Sequence, residues 1–153
     1  MADENRILEF EREWTEFLNE VRTTIPGVQL LFGFLLTVPF TSRFETTPFT
    51  VRAAYLACFL TTAGACAFLI APSVYHRIHW RRDIQDKEQM LTTSTRFAIT
   101  GSALLAASMS SAVFCVLWLL FPHEVAVAVS VFITALFAWL WFGLPLVRRM
   151  RRR

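Results

Sequence analysis

Charge is absent from four long stretches of this sequence. No Asp, Glu, Lys or Arg occurs at 23–42, 53–75, 97–123 or 125–147. A helix needs about 20 apolar residues to cross a bilayer, so each stretch has the length of a membrane span. The 153-residue chain is 55% hydrophobic and only 18% charged. This composition and its segregation exclude a disordered chain and a soluble domain built on a single core.

Motifs that carry chemistry are missing as well. The sequence has no Gly-rich phosphate loop, no His-Glu-x-x-His, no Cys-x-x-Cys and no Ser between nucleophile-elbow glycines. The three cysteines, Cys58, Cys66 and Cys115, lie in uncharged stretches, where we interpret them as small packing residues. Basic residues do not alternate with exposed aromatics as nucleic-acid binding requires. We therefore expect no enzymatic activity, catalytic residue, cofactor, bound metal or nucleic-acid partner.

Ionisable side chains are also absent from the predicted membrane core. Proton relays and ion-coupled transporters need such groups within the membrane. The most polar side chain there is that of Gln29, which we place near the inner end of the first span. This absence argues against a proton-coupled mechanism carried by this chain alone.

The pattern that is present predicts an all-α fold, an integral membrane four-helix bundle. The bundle occupies residues 25–147, and its spans are predicted at 25–40, 53–71, 97–121 and 125–147. Of the 15 Lys and Arg residues, all but Arg43 and Arg52 fall on the side that holds both termini. Because Lys and Arg are retained in the cytoplasm during insertion, we expect a multi-pass protein of the plasma (cell) membrane with cytoplasmic N- and C-termini.

Residues 1–24 are predicted to form a cytoplasmic amphipathic helix that turns at 23–27 to enter the membrane. Its apolar residues recur at steps of three and four, and its acidic residues lie on the other side. Anionic lipid would repel this acidic segment, so a protein surface is the expected receiver. That surface is either the chain's own basic 72–96 loop or tail, or a partner. The candidate contact residues are Phe10, Trp14, Phe17, Glu9, Glu13 and Glu16.

Small residues indicate where the spans pack. Ala103, Ala107 and Ser111 recur every fourth residue in the third span, beside a parallel series at 102, 106 and 110. Gly64 and Gly33 offer close approach in the second and first spans. Membrane helices associate through such close backbone contacts, so these residues are our candidates for helix packing.

The ends of the spans carry candidates for lipid contact and two weaker polar groups. The basic cytoplasmic tail at 148–153 contains Arg148, Arg149, Arg151, Arg152 and Arg153, which fix orientation and contact phospholipid. Trp139 and Trp141 fit an interfacial aromatic belt. His76, His79 and Asp83 would share one face if 73–89 is helical, which suits either a metal or proton site or, more simply, histidines at the membrane interface.

Two strings resemble a known family. Ile25-Pro-Gly-Val-Gln-Leu-Leu-Phe-Gly-Phe-Leu-Leu-Thr-Val-Pro-Phe-Thr-Ser-Arg-Phe44 and Ile70-Ala-Pro-Ser-Val-Tyr-His-Arg77 are similar to landmarks of a family of small four-span actinobacterial membrane proteins of unknown function. The resemblance extends over 5–121. Its members are sometimes labelled sodium:proton antiporters, but no matching residue is an intramembrane carboxylate. The matching residues are Pro26, Gly27, Gln29, Pro39, Phe40, Pro72, Tyr75, His76 and Arg77.

These features favour a non-catalytic accessory or structural subunit that contacts other integral membrane protein subunits. A respiratory-chain assembly is our working hypothesis for the host complex, based on the kind of protein and on no motif. The alternative is a small self-assembling transporter or channel, including a cation/proton antiporter, because pores can be lined by Ser, Thr and carbonyl groups alone.

Overall fold

The computed structural model describes residues 2–42, 44–79 and 84–143, and for 2–10, 75–79, 84–89 and 142 it describes the backbone. This part of the chain is helical and contains no strand. The helices are α1 (Ala2–Thr37), α2 (Phe49–His79), α3 (Ile84–Leu120) and α4 (His123–Ala138), with a 3-10 turn at Val38–Phe40 and a π-helical turn at Trp139–Gly143.

Four segments of these helices are long and apolar enough to cross a membrane: Glu11–Phe40, Phe49–Val74, Met90–Leu120 and His123–Trp141. The predicted all-α fold of four packed apolar helices is therefore confirmed. The first candidate span begins well before the predicted residue 25, and the third begins before residue 97. Charged residues near the helix ends had made these spans look shorter than the helices are.

The predicted turn at 23–27 is wrong, because α1 runs without a break from Ala2 to Thr37. Thr23 and Thr24 do not cap a new helix; their hydroxyls donate to the carbonyl of Glu20 at 2.8 and 3.1 Å within the same helix. Pro26 lies inside α1, and the helix continues past it although proline lacks the backbone N–H that would bond to the carbonyl of Arg22. Residues 2–24 are thus continuous with the candidate membrane span of α1, and no turn separates them from it.

Buried side chains recur every seventh residue on three helices, which explains why α1 continues past Pro26. On α1 they are Trp14, Val21, Val28 and Leu35; on α2 they are Val51, Cys58, Ala65 and Pro72; on α3 they are Ser94, Gly101 and Ser108. A seven-residue period keeps one seam facing a neighbouring helix along its whole length and is typical of left-handed bundles. Trp14 and Val21 are therefore in phase with Val28 and Leu35, so both parts of α1 present the same side to the bundle.

The four helices do not pack equally. The α2–α3 pair forms the most extensive contact, α1 packs mainly on α2 with a small contact to α3, and α4 packs on α3. In the described part of the chain, α1 and α4 form no contact of comparable size. A gap therefore separates α1 from α4 on one side of the α2–α3 pair.

Two groups of turns define one end of the bundle, which we call the Pro39 end. It contains residues 38–48 and the turn at Phe121 and Pro122 between α3 and α4. The opposite end, where α1 begins and α2 ends, is called the N-terminal end. α4 ends at Ala138, and residues 144–153, including the tail at 148–153, lie outside the described residues.

Candidate functional site

The α2–α3 contact shows how small residues bring two helices together. A Cβ added at Gly101 of α3 would lie 2.8 Å from Cγ of Leu69 and 3.3 Å from its backbone nitrogen. A Cβ added at Gly64 of α2 would lie 3.0 Å from Cδ1 of Leu104. Only glycine fits the first of these positions without moving α2, so Gly101 sets the separation of the pair.

Polar side chains reinforce this contact at its centre. Thr62 donates its hydroxyl to the carbonyl of Cys58 at 2.7 Å, and the hydroxyls of Thr62 and Ser108 are hydrogen-bonded to each other. The Cys58 thiol donates to the Ser108 carbonyl at 3.3 Å. All three residues are buried. These contacts satisfy the polar atoms of Cys58, Thr62 and Ser108, so this hydroxyl cluster links the two helices and leaves none of its own groups free for a ligand.

A second interhelical hydrogen bond compensates for a proline. Pro39 has no N–H, so the carbonyl of Leu35, four residues earlier, lacks its usual helical donor. The Tyr55 hydroxyl of α2 donates to that carbonyl at 2.8 Å. The Tyr55 ring also meets the ring of Phe44 edge-on, with centroids 5.1 Å apart. This bond fixes α1 to α2 near the Pro39 end.

The structure distributes the five predicted packing residues between different surfaces. Gly64 lies in the α2–α3 contact, whereas Ala103 and Ala107 lie on the exposed side of α3 and Ser111 is half-buried. The buried small residues of α3 are instead Ser94, Gly101, Ala106 and Ser108. A Cβ at Gly33 would meet nothing within 4 Å, so Gly33 faces no helix within the described part of the chain.

The N-terminal contact candidates divide into an inward and an outward group. Trp14 is 5% exposed, and its ring lies 5.6 Å from that of half-buried Phe17. Glu13 and Glu16 are exposed, and Glu16 accepts a hydrogen bond from Arg12 at 3.1 Å. The aromatic part of the stripe therefore faces the bundle and the carboxylates face away. The side chains of Glu9 and Phe10 lie outside the described residues.

The outward face of α1, defined here as Gln29, Leu30, Gly33 and Phe34, is exposed along its length. Gln29 and Gly33 are one turn apart. Within the part of the chain that the structure describes, the Gln29 carboxamide has no hydrogen-bond partner. This face thus combines an open glycine with an unpaired polar group.

A cavity of about 450 Å³ lies between the first parts of α1 and α3, beside the π-helical turn that follows α4. Its apolar walls come from Phe17 and Val21 of α1, Leu69 of α2, Ile99 and Leu105 of α3, and Trp141 of the π-helical turn. Its polar groups are Glu20, Thr24, Thr95 and Ser102. Because these residues lie early in α1 and α3, the cavity is close to the N-terminal end. No local sequence pattern predicts this cavity, because it arises from how the helices pack.

The structure describes the side chains of only some of the remaining predicted residues. Trp139 is 57% and Trp141 38% exposed. The side chains of His76 and His79, together with Asp83 and the five arginines from Arg148 to Arg153, lie outside the described residues. Among the residues described, no group of His, Cys, Asp or Glu is arranged to hold a metal ion.

Four packed apolar helices define this protein as an all-helical membrane protein of the multi-pass class. More specifically, the chain belongs to DUF6328, a family of unknown function, whose family model matches residues 3–145. No curated protein and no solved structure matches the chain. The family match covers all four helices and the cavity, and the family description assigns no activity.

Proposed function

We propose that the protein is a non-catalytic structural subunit that packs against another integral membrane protein through the outward face of α1. The observation that carries this proposal is the unpaired Gln29 carboxamide beside the open Gly33. We further propose that the complex lies in the plasma membrane with both termini of this chain in the cytoplasm, since most Lys and Arg residues lie on that side.

The first support is the depth of Gln29. Phe40 and Phe49 are 90% and 84% exposed at the Pro39 end, as expected for aromatic residues at a membrane–water interface. Gln29 lies eleven residues before Phe40, or about 16 Å along the helix axis. The hydrocarbon core is about 30 Å thick, so Gln29 is near its middle.

The second support is the energetic cost of leaving this group unpaired. Hydrocarbon offers no hydrogen-bond partner, so an unsatisfied amide there costs several kcal/mol. Gln29 is too far from either surface to reach water easily. A donor or acceptor on another membrane protein would remove this cost, and polar contacts between membrane helices contribute about 0.6–2 kcal/mol each.

The third support is the open space at Gly33. Elsewhere in this molecule a glycine allows a neighbouring helix to approach closely, as Gly101 does against Leu69. Gly33 would also allow a helix to approach closely, and no helix in the described part of the chain lies opposite it. The expected partner is therefore a transmembrane helix with a small residue opposite Gly33 and a hydrogen-bonding group opposite Gln29.

The test is purification of the native protein from its own membranes in a mild detergent, with wild type, Gln29→Leu and Gly33→Ile compared. We expect other membrane subunits in fixed ratio with the wild type and their loss from both variants. Val131→Ile on the exposed side of α4 is the matched control and should retain them. Recovery of a homo-oligomer would support the alternative, self-assembling transporter or channel. Recovery of monomer alone from all four would contradict the proposal.

A further inference from the structure

The cavity between α1, α3 and Trp141 has the volume and the mixture of apolar and polar groups that are typical of a ligand site. The proposed structural function does not involve it. Binding sites for small molecules are concave, about 300–1,000 Å³ in volume, mostly apolar and equipped with a few polar groups. The cavity, at about 450 Å³, lies within that range. Its walls come from the first parts of α1 and α3, together with Leu69 and Trp141.

One side chain gives the cavity its electrostatic character. The Glu20 carboxylate has no ion pair or hydrogen bond within the part of the chain that the structure describes. The neighbouring hydroxyls of Thr24 and Thr95 donate to backbone carbonyls of their own helices, at 3.1 and 2.8 Å. The hydroxyls therefore do not donate to the carboxylate, and among the described residues no cation is paired with it.

The position of Glu20 allows it to contact water while it faces a lipophilic ligand. From Glu20 to Thr37, α1 rises about 26 Å, which places Glu20 close to the edge of a hydrocarbon core about 30 Å thick. The carboxylate thus lies at the membrane–water boundary, and the apolar walls extend from it into the membrane. Phe17 and Trp141 line the same cavity, and aromatic faces also attract cations.

We propose that this cavity binds a lipophilic organic cation, with its positive centre at Glu20 and its apolar body against Val21, Leu69, Ile99 and Leu105. The charge of Glu20 selects a cation over a neutral or anionic amphiphile. The apolar walls select a lipophilic body over a small inorganic cation, which would gain nothing from them. This site is separate from the outward face of α1, so it does not depend on the proposed structural function.

The test uses tetraphenylphosphonium and tetraphenylborate, which have the same shape and opposite charge. Binding of each ion to the purified full-length protein in nanodiscs of neutral lipid is measured by equilibrium dialysis, and binding to empty nanodiscs is subtracted. We expect saturable binding of tetraphenylphosphonium near one per protein. We expect at least about tenfold weaker binding of tetraphenylborate, a difference of about 1.4 kcal/mol.

Three variants separate charge from shape. Glu20→Gln should weaken tetraphenylphosphonium binding by about five- to tenfold. Glu13→Gln removes the same charge from an exposed position of the same helix that does not line the cavity, and it should bind like the wild type. Ala98→Leu adds bulk at a cavity-lining residue and should reduce binding while Glu20 is intact. Circular dichroism and gel filtration verify that each variant folds.

The proposal is overturned by any of three results. These are equal binding of the two ions, the same affinity in Glu20→Gln and Glu13→Gln, or no saturable binding of tetraphenylphosphonium. Retention of a neutral lipid that purified protein carries and the cation cannot displace would identify a lipid site in its place.

Discussion

The α2–α3 contact and the outward face of α1 contain the same elements in two different states. Each has a glycine and a polar side chain within the membrane. In the α2–α3 contact, Gly101 lies against Leu69, and Ser108 is hydrogen-bonded to Thr62. On the outward face of α1, Gly33 lies against nothing and Gln29 is unpaired among the described residues.

This difference shows that one side of α1 is packed against the bundle, whereas the opposite side has no packing partner among the described residues. Its inward side carries the seven-residue seam from Trp14 to Leu35, which is buried on the bundle. Lipid-facing positions of a membrane helix need neither glycine nor carboxamide, since any apolar residue suffices there. The outward face therefore has the chemistry of a helix–helix contact, and we propose that its second helix belongs to another protein.

The largest expected effect comes from placing the same side chain at the two glycines. Gly101→Ile should destabilise the protein by about 3 kcal/mol or more, because the new Cβ would lie 2.8 Å from Leu69 Cγ. Gly33→Ile should change the stability of the isolated protein by less than about 0.5 kcal/mol. Unfolding by titration with a denaturing detergent measures both. Equal losses would show that Gly33 also faces a helix of this chain.

A smaller effect is expected when a hydroxyl is removed from the hydroxyl cluster. Ser108→Ala should cost about 1 kcal/mol, because Thr62 and the Cys58 carbonyl lose a shared partner. Ser94 on the same helix is equally buried, and within the described residues its hydroxyl has no partner. Ser94→Ala is therefore the matched control and should be neutral or slightly stabilising in the same unfolding assay. A larger loss in the control would contradict this assignment.

The hydrogen bond between Tyr55 and Leu35 should have a similar or smaller effect that depends on Pro39. Tyr55→Phe leaves the Leu35 carbonyl without a donor and should cost about 1 kcal/mol. In a Pro39→Ala background the restored N–H can serve that carbonyl, so the same change should cost much less. A double-mutant cycle of unfolding free energies measures the coupling. Additive effects would mean that the proline is not the reason for this bond.

The smallest effect on stability is expected at Gln29. Gln29→Leu should leave the unfolding free energy of the isolated protein within about 0.5 kcal/mol of wild type, because its carboxamide has no hydrogen-bond partner among the described residues. The same change should reduce partner retention strongly. A loss of stability without a change in retention would reverse the comparison and assign Gln29 to the protein's own fold.

Sequence alone was sufficient for the number and class of helices, because uncharged apolar stretches of this length are typical of membrane-spanning helices. It was insufficient for α1. Pro26 and the charges before it suggested a boundary, although Trp14, Val21, Val28 and Leu35 are evenly spaced across that boundary. The seven-residue register was therefore available in the sequence and is the signal that would have extended the span and moved Gln29 to the middle of the membrane.

The packing face of α3 and the cavity were harder to predict for a physical reason. Two adjacent series of small residues, at 102–110 and 103–111, are equivalent by spacing, and the fit of Gly101 against Leu69 determines which side is buried. The cavity depends on how α1, α3 and Trp141 are placed relative to one another, and no local sequence pattern predicts that arrangement. The sequence identifies Glu20 as one of several acidic residues. Its position in the cavity wall depends on how the continuous α1 packs.

Photocrosslinking in native membranes tests the central claim most directly. Phe34 on the outward face of α1 and Phe132 on α4 are the same residue type with nearly equal exposure, 64% and 67%. A photoreactive phenylalanine analogue at each position distinguishes a protein contact from a lipid contact. We predict a discrete crosslinked product with another membrane protein from position 34 and lipid adducts alone from position 132. Lipid adducts alone from both positions would contradict the claim that α1 packs against a partner.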